Sequence, residues 1–107
     1  MKIDEILYAK NKLERGFKVF VESLIDEEYN SKWGFYFHKG AIGKVVNIGQ
    51  YGEMLNNDFY MKVEWLKDKI IEYGMDDDIY DRYTFKSIKL KEIVPPKDPN
   101  QLEFLFK

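Results

Sequence analysis

The chain has 107 residues, 45% of them hydrophobic and 34% charged, with a formal net charge of −2. That length makes one domain with a modest core, and the balance of apolar and charged residues excludes wholesale disorder. With no cysteine, disulfides, thiolate zinc sites and a cysteine nucleophile are excluded together, which fits a reducing compartment.

The opening "MKIDEILYAK" alternates charged and apolar residues, unlike a signal peptide. Ile3, Ile6, Leu7, Lys10 and Leu13 recur at spacings of three and four, so residues 1–15 read as a helix. Asp4 and Glu5 fall in its favoured first turn, and Gly16 is placed to end it. From Phe17 the period becomes two: Phe17, Val19 and Val21 share one face, Lys18 and Glu22 the other, which predicts a half-buried strand. "DEEYNSKWGFYFHK", residues 26–39, reads as a long connection with a short edge strand at Trp33–Phe37.

"HKGAIGKVVNIGQYG" follows, and its glycines pose a choice between a phosphate cradle and a turn. A P-loop needs Gly-Lys followed by Ser or Thr and an earlier Gly; here Val45 follows Lys44, and His38 stands where that glycine belongs. No Gly-x-Gly occurs, and "KVVNI" is β-branched strand material. Gly40 and Gly43 therefore read as a turn into a strand over Ile42–Ile48. In "FYMKVEWL", Phe59, Met61, Val63 and Trp65 fall on one face of the best-patterned strand. "KD" at 67–68 turns it into "KIIEY" as a hairpin. An acidic loop or helical turn spans 75–82, "YTFKSI" and "KLKEIV" supply one or two closing strands, and "PPKDPN" stops regular structure before an apolar "QLEFLF" tail.

Short strands at close spacing after one helix predict a mainly β (α+β) fold, a small bent antiparallel barrel of about five strands. The expected organisation is one domain: an N-terminal helix at 1–15, a barrel at 16–95, and a proline-rich break with a C-terminal tail at 96–107. "GFKVFVESL", "KGAIGKVVNI", "FYMKVEWL" and "IKLKEIV" occur in an order that resembles SH3-like barrels of the KOW type. The resemblance covers about residues 16–95. The connection between the first two strands is longer than that pattern has, and the lysine- and arginine-rich surface of ribosomal members is missing. In size and composition the chain is also similar to small uncharacterised phage and prophage proteins. Its fifteen lysines against two arginines, with ten isoleucines and two alanines, match AT-rich coding.

Catalytic groups are sparse. His38 is the only histidine, and Ser23, Ser31, Ser87 and Thr84 are the only aliphatic hydroxyls, none in a nucleophile motif. The run "DDDIYDRY" fails as an EF-hand, because its sixth and twelfth positions from Asp76 are Asp81 and Ser87. No enzyme activity, cofactor or metal is expected.

Binding is expected instead. Eighteen aromatics exceed what a small barrel core holds, so several belong at the surface, where Tyr and Trp favour recognition. Residues 41–83 carry five basic and nine acidic side chains, concentrated at Asp76, Asp77, Asp78 and Asp81. With Tyr80, Tyr83, Trp33 and Tyr36 these form the expected contact set for a protein with a basic groove, such as a nuclease or other nucleic-acid-binding host protein. The reading is a cytoplasmic phage-encoded protein that docks on a host protein and inhibits or redirects it, as anti-CRISPR and other anti-defence inhibitors do. The alternative is a KOW-like nucleic-acid-binding barrel using Lys86, Lys89 and Lys91. The apolar tail is a possible oligomer contact, and no membrane segment is expected.

Overall fold

A computed structural model describes residues 1–29, 35–50, 59–74 and 83–96. Helix α1 spans Ile3–Glu14, held at its start by the Glu5 carboxylate, which accepts the Lys2 N–H at 3.1 Å. It ends where Gly16 takes φ +88°, a left-handed conformation that favours glycine. The helix buries Ile6 and Ala9, with Leu13 packed beside them. Leu7, expected on that apolar stripe, is exposed instead, because the face turned to the sheet is centred on Ile6, Ala9 and Leu13.

The strands are β1 (Lys18–Ser23), β2 (Glu27–Tyr29), β3 (Phe35–Phe37), β4 (Ile42–Gln50), β5 (Phe59–Glu64), β6 (Ile70–Gly74), β7 (Tyr83–Thr84) and β8 (Ile88–Val94). One sheet runs β7-β6-β5-β4-β1-β8; β2 and β3 form a separate two-stranded arm. Five strands of the main sheet are antiparallel neighbours, with the last returning to lie against the first, as expected for a small bent barrel fold. Two details differ from the sequence reading. β7 joins β6 in parallel, and "YTFKSI" makes only two strand residues before a 3-10 turn over Phe85–Ser87. The predicted edge strand at 33–37 is Phe35–Phe37, and it pairs with β2, an element the periodicity did not show.

The core lies between the inner sheet face and α1: Val19, Val21, Val45, Ile48, Phe59, Met61, Val63, Trp65, Ile71, Tyr73, Phe85 and Ile88 surround Ile6 and Ala9. The helix therefore belongs to the same hydrophobic unit as the barrel. Trp65 and Tyr73 pack tilted, their rings 6.3 Å apart. The N-terminal amine donates to the carbonyls of Phe85 and Ile88, tying the start of α1 to the turn before β8. Of the two glycines read as a turn, Gly40 alone serves one, at φ +91°. Gly43 lies inside β4, pressed against Val63 and Trp65, where a side chain does not fit.

Candidate protein-docking surface

Among the described residues, strand register places five of the eight exposed large apolar residues at one end of the sheet; Leu7 and Tyr8 lie on α1 and Val46 lies within β4. β1 ends at Ser23 beside Ile88 of β8, Glu22 lies opposite Ile42, and Glu64 lies opposite Ile70. Leu24, Ile25, Ile42, Leu66 and Ile70 thus all occupy the end where β1 and β5 finish and β4, β6 and β8 begin. Leu66 and Ile70 are 54% and 55% exposed, and Ile42 is 44% exposed. Isolated exposed apolar residues are ordinary; a gathering at one end makes that end the candidate docking surface.

The β2–β3 arm projects from this same end, and its base is closely hydrogen-bonded. Ser23 N–H donates to Ala41 O at 2.9 Å, Gly40 N–H to Ser23 O at 2.8 Å, and Leu24 N–H to Ser87 O at 2.8 Å. The Ser23 hydroxyl donates to Ile25 O at 2.6 Å. Across the arm's base, the Asp26 carboxylate accepts the Lys39 N–H at 2.8 Å. The arm pairs Glu27 with Phe37, Glu28 with Tyr36 and Tyr29 with Phe35. The paired positions of the arm include Tyr29, Phe35, Tyr36 and Phe37.

The expected contact residues are distributed unevenly. Tyr36 stands in the arm at this end. Tyr83 stands opposite Tyr73 on β7, three residues along β6 from Ile70. Trp33, Asp76, Asp77, Asp78, Tyr80 and Asp81 lie outside the described residues, as does the C-terminal tail.

The basic strand proposed for nucleic acid carries its own counter-charge. Lys89 and Lys91 on β8 reach Glu22 on β1 at 3.1 and 3.4 Å. Their hydrogen bonds and charges hold the Glu22 carboxyl below its ordinary value, led by the bond from Lys89 and opposed by burial. Lys86 is exposed in the 3-10 turn. Other cations lie over rings at the opposite end: Lys12 over Phe17 and Tyr8, at 4.6 and 5.3 Å, and Arg15 over Phe17 at 5.7 Å.

The hydroxyls of Ser23 and Ser87 donate to the carbonyls of Ile25 and Thr84, and His38 is at the surface. Among the described residues no three His, Asp or Glu side chains gather to share a metal ion, and no helix is long and apolar enough to cross a membrane.

Sequence reasoning missed Ile42, Leu66 and Ile70 as surface residues. The signal was present as phase: Ile42 is out of step with Val45, and Ile70 with Ile71 and Tyr73, along their strands. Comparison with known proteins gives no relative to set beside this surface: no family model, no curated protein and no solved structure matches the chain.

Proposed function

We propose that the chain is a non-enzymatic binding protein that docks on a protein partner through the apolar end of its sheet. The partner of this reading is a host protein, which a phage-encoded chain would inhibit or redirect. The observation that carries it is the collection of Leu24, Ile25, Ile42, Leu66 and Ile70 at the end that bears the β2–β3 arm. A protein partner gains from burying such residues, whereas a phosphate backbone does not. The Glu22 ion pairs favour this reading over the nucleic-acid alternative, because they neutralise part of the charge that Lys89 and Lys91 would offer a phosphate.

The test is affinity capture from a nuclease-treated bacterial lysate, comparing the parent with Ile25→Asp/Leu66→Asp. A partner held by the parent after nuclease treatment, and released by a variant of unchanged melting temperature, supports the reading. Partners that vanish on nuclease treatment, or that both proteins hold equally, overturn it.

A further inference from the structure

The outer face of β1, β4, β5 and β6 carries a row of side chains whose order is its own complement. Phe20 lies directly opposite Lys44, Lys44 opposite Glu64, and Glu64 opposite Ile70. The row therefore reads apolar, positive, negative, apolar across four strands. All four residues sit on the face away from the core, since Val19, Val21, Val45, Val63 and Ile71 beside them are buried.

We propose that this face binds a second copy of the chain about a two-fold axis running parallel to the strands, between β4 and β5. Such an axis lays β4 on the β5 of the other copy and β1 on its β6. Lys44 then meets Glu64 of the second copy, Glu64 meets its Lys44, and Phe20 meets its Ile70. A two-fold interface requires this self-complementarity, in which each residue i contacts j and j contacts i.

The neighbouring row agrees independently. Asn47 lies opposite Lys62 and Lys62 opposite Glu72. Under the same axis Asn47 meets Lys62 of the second copy. No like-charged pair faces itself in either row. Opposed like charges would cost several kcal/mol, so their absence from both rows favours this axis over a shifted one. Ile70 contributes apolar area at the rim of the contact, being more than half exposed in the single chain. The axis keeps strand direction, so both copies present their apolar ends on the same side. The dimer stands without the partner-docking reading: the two share Ile70, but Lys44 and Glu64, read by mass in solution, belong to the dimer alone.

Light scattering and sedimentation on the purified chain test the proposal. The parent is expected as a dimer that dissociates on dilution and with added salt. Lys44→Glu places Glu opposite Glu64 of the other copy, and Glu64→Lys places Lys opposite Lys44; each alone is expected as a monomer. Mixing the two single variants restores complementarity and is expected to give a heterodimer. That recovery cannot come from within one chain, where each variant still lacks its own Lys44–Glu64 pair. Ile70→Asp is expected to weaken the dimer at least tenfold. A monomeric parent, single variants that stay dimeric, or a mixture that stays monomeric while both variants remain folded by circular dichroism would each overturn the proposal.

Discussion

Gly43 lies against Trp65: a Cβ built at residue 43 would stand 2.9 Å from Cδ2 and Cε3 of the indole, and closer still to Val63 Cγ1. β4 and β5 can approach as they do because this position carries no side chain. Gly40, three residues earlier, needs glycine for a different reason, since its φ is +91° and nothing lies within 4 Å of the Cβ it lacks.

The two glycines are therefore expected to respond differently to repair. Gly43→Ala overpacks the core and should cost about 1–3 kcal/mol. Gly40→Ala meets only backbone strain, about 1–2 kcal/mol. Trimming Val63 to Ala should recover part of the loss at residue 43 and none at residue 40. Urea melts of the two double variants check this, and strict additivity in both would contradict the packing argument.

Trp65 closes the core at the end of β5, 4% exposed and tilted against Tyr73. Its backbone N–H also donates to Lys69 O at 2.8 Å across the 3-10 turn. Trp65→Ala leaves that backbone bond intact and removes the ring, so its expected cost of about 3–5 kcal/mol is a packing cost. Trp65→Phe should lose less, because a ring still faces Tyr73. An unchanged melting temperature for Trp65→Ala would show the ring to be peripheral.

The arm at residues 26–39 is expected to depend on Asp26, whose carboxylate receives the Lys39 N–H at 2.8 Å. Asp26→Asn retains an acceptor, whereas Asp26→Ala leaves that N–H to solvent. Amide exchange at Lys39 and at the arm's paired residues should accelerate in Asp26→Ala and change little in Asp26→Asn, with the main sheet unaffected. Equal exchange in both variants would mean that the backbone bonds from Ser23 and Gly40 hold the base alone.

Much of the sheet could be read from alternation, because one face of each strand is buried and period two survives wherever the ladder is regular. Phe59, Met61, Val63 and Trp65 are all buried, as their spacing requires. Legibility fails where the ladder is irregular. The shift between Val45 and Asn47 puts Val46 outside, and Gly43 takes an inward position that an apolar side chain would otherwise announce. β2 was hidden because "EEY" has no alternation of its own; a hairpin partner and the Asp26 contact hold it. The apolar end was illegible for a related reason. Leu24, Ile42, Leu66 and Ile70 come from four separate segments, and only strand order places them together.

Glu22 couples β1 to the edge strand β8, and it should make stability depend on acid. Its side chain is only 18% exposed, with Lys89 at 3.1 Å and Lys91 at 3.4 Å. In the folded chain the hydrogen bond from Lys89 lowers its pKa; burial acts against this, and the charges of both lysines add to it. In the unfolded chain those partners are gone and the carboxyl titrates near its ordinary 4.5. The unfolded state therefore takes up the proton first as pH falls. The contribution is fully present above pH 4.5 and is lost as pH drops from there through the lower folded-state value. Glu22→Gln should reduce stability at neutral pH and flatten this part of the acid profile. Lys89→Gln should flatten it more than Lys91→Gln, since Lys89 supplies the leading cause. Urea midpoints measured from neutral pH down through the acid range check the order. A Glu22→Gln protein whose midpoint falls with acid as steeply as the parent's would place the acid sensitivity on other carboxylates.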